Sequence, residues 1–187
     1  MAYKCTTSNG RNIETVKYLK SDFKQKQQVL TDEGYKVSML RVLLSDGSSA
    51  NVLYRLTQWL ITYKLTPFAI ITLWLNRVIN GCVIGAAACF SYGFVIMHPV
   101  GVVINSKVRG GKNIIVESGV VIGDEKGQAP VLGDNIFIGA GAKIIGGISV
   151  GSNVKIGANA VVVKDVPNDV TVVGIPAKII NKGIKEC

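Results

Sequence analysis

The sequence predicts a mainly β fold, a parallel β-helix of six-residue repeats that follows a short N-terminal helical region. Two observations carry this prediction. From residue 84 onward an apolar residue recurs at every sixth position, a period that fits neither an α-helix nor one alternating strand. Before that repeat, residues 50–80 carry apolar residues at helical spacing, and Pro67 divides them into two segments.

The six-residue repeat keeps its phase over fourteen steps. Strands of about two residues, joined by tight corners, would point these side chains inward and stack them about 4.8 Å apart. Glycine follows four of the repeat positions, as expected where the backbone turns a corner. We therefore predict a β-helix over residues 81–173 and a C-terminal tail over 174–187. Apart from Lys126, the repeat positions are all apolar: Ile84, Phe90, Ile96, Val102, Val108, Ile114, Val120, Leu132, Ile138, Ile144, Val150, Ile156 and Val162.

Residues 1–80 are predicted to form an N-terminal region with a polar start and then two helices. Pro67 ends the first helical pattern and opens the second, TPFAIITLWLNRVIN. We expect the pair to pack on the β-helix or on a neighbouring subunit. Tryptophans beside basic residues leave peripheral membrane contact as an alternative. One face of the first helix carries Val52, Leu56, Trp59, Leu60 and Tyr63.

The charge and cysteine content limit the classes of partner and location. The net charge is +9, with 21 basic and 12 acidic residues, but no zinc-finger spacing, basic helix or aromatic RNA-binding signature accompanies it, so we expect no nucleic-acid partner. The four cysteines show neither metal-ligand spacing nor a disulfide framework. The longest apolar run, 68–75, is too short to span a bilayer, and the N-terminus has no apolar signal core. We expect a cytoplasmic protein with reduced thiols and no metal, located in the cytoplasm or at the inner membrane surface.

The stretches IGAGAKIIGGISVGSNVKIGANAVVVKDVP and VVGIPAKII resemble the hexapeptide-repeat acyltransferases. The similarity is closest to the branch of serine acetyltransferases and polysaccharide O-acetyltransferases, and it covers roughly residues 50–180. This resemblance implies a left-handed parallel β-helix with three hexads per coil, against the usual right-handed crossover. It also implies a homotrimer that takes acetyl-CoA as cosubstrate between neighbouring subunits, with no permanently bound cofactor.

His98 is the only histidine in the chain and falls third in the hexad that begins at Ile96, at a corner. Spacing alone leaves an incidental surface histidine and a catalytic one equally open. The segment HPVGVVIN, however, resembles the family segment that holds the catalytic histidine. The resemblance implies that His98 is the general base that deprotonates an acceptor hydroxyl as it attacks the acetyl thioester. Without that role, the protein would be a non-catalytic β-helix that binds or scaffolds partners.

Several positions depart from the serine acetyltransferases. The aspartate that orients the family's histidine and the one that precedes it correspond to Val83 and Met97. The family's arginine and second histidine correspond to Gln128 and Ala129. A zwitterionic serine would then lack charged partners. We therefore expect a sugar hydroxyl in bacterial surface-polysaccharide synthesis as acceptor, with serine in cysteine biosynthesis as the alternative.

The remaining candidate site residues rest on the same resemblance. Glu117 adjoins Val116, which lies eighteen residues, or one predicted coil, after His98. Glu117 is either the carboxylate that orients His98 or a solvated corner residue. Asn105 and Gln128 are candidates for contacting the acceptor. Lys155 and Lys178 are candidates for the phosphates of CoA. The small-residue ledge that holds the pantetheine arm in the family corresponds to Gly139, Ala140, Gly157 and Ala158, although corners favour such residues in any case.

Overall fold

The computed structural model describes residues 11–182, a parallel β-solenoid with helices at its N-terminal end. The helices are α1 (Arg11–Asp32), α2 (Met39–Leu43), α3 (Ser48–Thr62) and α4 (Thr66–Asn80). The strands are β1 (Val83–Ile84), β2 (Cys89–Phe90), β3 (Val95–Ile96), β4 (Val103–Ile104), β5 (Arg109–Gly110), β6 (Ile114–Val116), β7 (Val121–Gly123), β8 (Val131–Leu132), β9 (Ile136–Ile138), β10 (Lys143–Ile145), β11 (Ser149–Val150), β12 (Lys155–Ile156), β13 (Val161–Val162), β14 (Val170–Val173) and β15 (Lys178–Lys182).

The solenoid has three faces, each a sheet of stacked strands. Face A contains β1, β4, β7, β10 and β13, and face B contains β2, β5, β8 and β11. Face C contains β3, β6, β9, β12, β14 and β15. All the pairings are parallel except that of β14 with β15, which folds the predicted C-terminal tail back onto face C as an antiparallel strand. The chain thus passes from A to B to C in each coil, with a corner between successive faces.

The predicted interior of the β-helix is confirmed, because all thirteen apolar repeat positions are buried. The strand register nevertheless shows that the coils differ in length. Val83 pairs with Val103, twenty residues on, whereas Val121 pairs with Lys143, twenty-two residues on. Two extra residues follow β3, in the corner that contains His98, and four more follow β7, around Lys126. The two insertions together equal one hexad, so the six-residue count regains its phase after them.

The N-terminal region differs from the predicted polar start followed by two helices, because α1 and α2 precede the expected pair. The face of α3 that packs on the solenoid also differs from the predicted apolar one. Val52 and Leu56 are exposed, while the buried residues of α3 include Asn51 and Arg55. Leu60 of the predicted face is buried, so hydropathy identifies only part of the buried face of this helix.

The polar face of α3 is buried because it satisfies the open end of the β-helix. The first coil has no preceding coil to bond its backbone, and unpaired groups on a strand edge are costly when buried. Asn51 Oδ1 accepts from the N–H of Ile96 at 2.9 Å, and its Nδ2 donates to the carbonyl of Phe94 at 2.7 Å. Arg55 donates to the carbonyl of Phe90 at 2.9 Å. Side chains of the helical layer thus take the place of a missing strand.

A buried ion pair joins α1 to α3 within this helical layer, which caps the open end of the β-helix. Arg55 Nε lies 2.8 Å from Asp22 Oδ2, and Asp22 Oδ1 accepts from the N–H of Phe94 at 2.9 Å. Burial raises the pKa of Asp22 above its ordinary value, and the Arg55 charge opposes that rise. The pair therefore holds α1 and α3 together and bonds Phe94, the residue whose carbonyl Asn51 bonds.

Helix α4 turns its large apolar residues outward and packs on α3 through small and polar ones. Thr57 and Thr72 share a hydrogen bond of 2.7 Å, and Ser49 donates to Asn80 at 2.6 Å. Among residues 11–182, no helix combines the length and apolar character needed to cross a bilayer. The outward surface, here called the α4 apolar face, consists of Phe68, Ile70, Ile71, Trp74, Val78 and Ile79.

The cysteines depart in part from expectation. Cys82 is a free thiol, and burial raises its pKa to about 12. Cys89 takes part in a disulfide bond. The expectation of reduced thiols is therefore wrong at Cys89.

Candidate active site

His98 lies on the outer surface of the corner between faces C and A of the first coil. Strand β3 ends at Ile96 and β4 begins at Val103, so the two extra residues widen this corner and push the imidazole outward. The His98 side chain is 58% exposed, which makes it accessible to a ligand. The prediction that this histidine sits at a corner, outside the core, is confirmed.

The imidazole is held by a carboxylate that sequence analysis missed. His98 Nδ1 lies 2.9 Å from Asp46 Oδ2, in the turn between α2 and α3. Because an ionised carboxylate only accepts hydrogen bonds, Nδ1 carries the proton of this bond. In the neutral ring, Nε2 then keeps its lone pair and is able to accept a proton. Asp46 is 52 positions from His98 in sequence, and nothing in the segment SDGSS signals the contact.

A buried lysine joins the Asp46 turn to strand β3. Lys26 of α1 is 2% exposed, and its Nζ donates to the carbonyl of Asp46. It also donates to Ser48 Oγ and to the carbonyl of Ile96, each at 3.2 Å. Burial lowers the pKa of Lys26 to about 8, and attraction to Asp46 opposes this. The ammonium thus bridges the residue that bonds His98 and the last residue of the strand that leads to it.

Gly47 permits the close approach of this turn. Its φ is +76°, a left-handed conformation that residues with a Cβ adopt at a cost. A Cβ at this position would also overlap the carbonyl oxygen of Ile96. Glycine is therefore required here both by the backbone conformation and by packing.

Glu117 lies at the same corner one coil further along, and the structure gives its expected role to another residue. Among the described residues, the hydrogen bond of His98 runs from Nδ1 to Asp46 and not to Glu117, so the hypothesis that Glu117 orients the imidazole is corrected. Glu117 is still close to the ring. Partial burial raises its pKa, the His98 charge opposes that rise, and the Glu33 carboxylate adds to it. The Asp46 carboxylate therefore bonds the imidazole, and the Glu117 carboxylate interacts with its charge.

The small residues expected at the CoA ledge stack along the same corner. Gly139 follows β9 and Gly157 follows β12, both at the turn from face C to face A. The N–H of Gly139 donates to the coil above at 2.8 Å, and a Cβ there would lie 2.7 Å from the nitrogen of Ala158. Glycine thus lets successive coils stack closely. With Ala140 and Ala158, these residues lie at the same corner as His98, on later coils.

Comparisons with known proteins agree with this geometry. The family model of the bacterial transferase hexapeptide, with six repeats, matches residues 129–164. A serine acetyltransferase of Helicobacter pylori is 40% identical over 145 residues, which span 75% of this chain and 85% of that protein. The chain belongs to the serine acetyltransferase family. Another relative, the serine acetyltransferase of Synechococcus elongatus, is 39% identical over 75% of this chain, and the match spans 60% of that protein.

Solved serine acetyltransferases share the fold of this family member. The Neisseria gonorrhoeae enzyme superposes with a TM-score of 0.85 at 32% identity, over 93% of this chain and 68% of that one. A serine acetyltransferase in complex with CoA superposes at 0.83 with 28% identity, over 90% of this chain and 71% of that one. The predicted left-handed β-helix of hexapeptide repeats and the predicted acyltransferase family are confirmed.

Within this serine acetyltransferase family member, the residues expected to contact the acceptor lie apart from His98. Asn105 follows β4 and Gln128 precedes β8, both at the corner between faces A and B. Asn105 Nδ2 donates to Asp124 Oδ1 at 2.7 Å, and Gln128 closes a short loop by backbone hydrogen bonds with Glu125. A single chain therefore does not bring these two residues to the imidazole.

The two lysines expected at CoA lie on face C beyond the ledge. Lys155 is in β12 and Lys178 in β15, and both are exposed. The antiparallel pairing places Lys178 opposite Val173 of β14, next to the strand that carries Lys155. Two cations thus lie near the end of the small-residue ledge, and their contact with CoA phosphates stays a prediction.

Proposed function

We propose that this chain is an acetyl-CoA-dependent O-acetyltransferase with His98 as its general base. The observation that carries the proposal is the accessible imidazole, whose Nδ1 is held by a carboxylate and whose Nε2 is left to accept a proton. Family membership supports the reaction class, and the CoA complex of a related enzyme supports acetyl-CoA as cosubstrate.

The proposed reaction is direct acetyl transfer. Nε2 of neutral His98 takes the proton from the acceptor hydroxyl while that oxygen attacks the thioester carbonyl. The tetrahedral intermediate then expels the CoA sulfur, and the imidazolium returns the proton to that thiolate. The products are the O-acetyl ester and free CoA, and the imidazole is neutral again. General-base catalysis of this kind supplies about 10²- to 10⁴-fold in rate.

Serine is the acceptor that the relatives favour over the sugar expected from sequence. The similar proteins are named serine acetyltransferases. The surroundings of His98 also supply a carboxylate that sequence analysis did not find, because Asp46 bonds the ring from the helical region. The Glu117 carboxylate of the next coil interacts with the His98 charge. Anionic groups beside the base would attract the ammonium group of an amino acid.

A sugar hydroxyl of a bacterial surface polysaccharide is the second candidate, and one observation favours it. The positions that match the family's arginine and second histidine hold Gln128 and Ala129, and Ala129 packs partly buried against the core. These positions offer no cation for the carboxylate of serine. A neutral hydroxyl compound needs no such partner.

We also propose a homotrimer, because the candidate acceptor residues and the base occupy different corners of one chain. The proposed three-fold assembly pairs the A–B corner of one copy with the C–A corner of the next. Asn105 and Gln128 of one copy would then approach His98 of its neighbour. The α4 apolar face would be covered in such an assembly, and contact with a membrane surface is the alternative. Sedimentation with and without anionic vesicles separates the two.

The experiment that tests the function measures thiol release from acetyl-CoA. L-serine, D-serine and a panel of neutral sugars serve as acceptors, and mass spectrometry identifies the acetylated product. We expect O-acetylserine, and we expect His98→Ala to lower kcat about 10²- to 10⁴-fold with acetyl-CoA binding retained. Acetylated sugar alone would establish the second candidate. Binding of acetyl-CoA without thiol release for any acceptor would instead indicate a non-catalytic scaffold.

A further inference from the structure

We infer that Asp46 is the positioning residue for His98, so that the N-terminal helical region of this chain completes the catalytic site. The inference rests on the proposed function. The positions where the family resemblance expects acids hold Val83 and Met97, neither of which is able to orient a ring nitrogen. The carboxylate that does so comes instead from the turn between α2 and α3.

Both oxygens of the Asp46 carboxylate have a defined partner. Oδ2 accepts from His98 Nδ1 at 2.9 Å, and Oδ1 accepts from the backbone N–H of Gly47 at 3.1 Å. The second bond fixes the rotation of the carboxylate, so the first oxygen is aimed at the ring. A carboxylate held at two points gives the imidazole one preferred orientation.

Stability does not account for this pair. The two side chains are 58% and 61% exposed, and ion pairs in water contribute little to folding. Yet the turn that carries Asp46 is built with features that restrict it. Lys26 is buried beneath it and bonds its carbonyl, and Gly47 allows its backbone to touch the end of β3. Three elements of the chain therefore converge to place one exposed carboxylate.

The chemical role follows from the geometry. Asp46 keeps the proton of neutral His98 on Nδ1, which leaves the basic lone pair on Nε2. When Nε2 takes the proton of the acceptor, the carboxylate stabilises the imidazolium that forms. Asp46 itself neither gains nor loses a proton in this cycle, which makes it a positioning residue.

The test exploits the fact that His98 is the only histidine in the chain. Nitrogen-15 spectra of the whole protein therefore report one imidazole, and the shifts of its two nitrogens give the tautomer directly. In the wild type we expect the Nδ1–H form to dominate in the neutral ring. In Asp46→Ala we expect the Nε2–H form to become the major one, as in free histidine. The matched control is Asp32→Ala, which removes an exposed carboxylate that accepts a hydrogen bond from Gln28 and should leave the spectrum unchanged.

Kinetics provide the second readout. We expect Asp46→Ala to lower kcat about 10- to 100-fold, less than loss of the base itself, with the KM for acetyl-CoA unchanged. Asp46→Glu should recover part of kcat. An Asp46→Ala variant that keeps the Nδ1–H tautomer overturns the inference, and so does one that keeps wild-type kcat. A tautomer change in a protein that transfers no acetyl group would support the positioning while refuting the proposed function.

Discussion

Substitution of Asn51 by leucine tests whether the polar face of α3 takes the place of a missing strand. The change leaves the N–H of Ile96 and the carbonyl of Phe94 without their side-chain partners, in a region where both residues are fully buried. Each buried backbone group without a partner costs about 1–3 kcal/mol. The apolar side chain offsets about 1–2 kcal/mol of that. We therefore expect a net loss of about 1–4 kcal/mol in the free energy of unfolding.

Urea denaturation at fixed protein concentration measures this loss, since assembly would otherwise shift the midpoint. The control is Gln28→Leu, an amide on the exposed face of α1, for which we expect a change within about 0.5 kcal/mol. Asn51→Asp tests the direction in which stability changes with pH. Burial raises the pKa of the introduced carboxyl, so this variant should be closest to the wild type near pH 4 and lose stability as the pH rises. An Asn51→Leu variant as stable as the wild type would refute the capping argument.

Three further predictions concern the same layer. Gly47→Ala should lower both stability and kcat, because it combines left-handed strain of about 1–2 kcal/mol with overlap of the new Cβ and the backbone of Ile96. The control is Gly34→Ala, which has a similar φ but open space around the Cβ and should keep kcat. Asp22→Asn should cost about 3–5 kcal/mol in urea denaturation, because the Arg55 charge stays buried without its counter-ion. The pKa of Lys26 is lowered to about 8 from 10.5, so between these pH values the unfolded chain holds a proton that the folded one has lost. The free energy of unfolding should rise with pH there by up to about 3 kcal/mol, and Lys26→Met should abolish that rise.

The β-helix was predictable because its interior depends on short-range geometry. A coil of two-residue strands admits an apolar side chain at a fixed interval, and Ile84 through Val162 keep that interval. Counting residues in sixes does not reveal the two corner insertions. They add two and four residues, which together equal one repeat, so the count returns to the same phase. Lys126, the one polar residue at a repeat position, was the only sign that a corner there was longer.

The helical cap and the site lay beyond sequence reasoning for a different physical reason. Hydropathy assumes that a buried helix face is apolar, whereas Asn51 and Arg55 are buried because strand edges need hydrogen-bond partners. His98 was predicted through its corner position and a family resemblance. Asp46 was not, because its contact depends on how a turn packs across 52 positions of sequence.

The cap and the catalytic corner are coupled through a single residue, Ile96. Asn51 of α3 binds its N–H, Lys26 of α1 binds its carbonyl, and His98 follows two residues later. The helices that close the open edge of the first coil therefore also fix the backbone from which the imidazole projects, and the turn between them carries Asp46. Removal of residues 11–80 would expose the edge of β3 and would also remove the Asp46 carboxylate. In this chain, closing the end of the β-helix and orienting the base are consequences of the same packing.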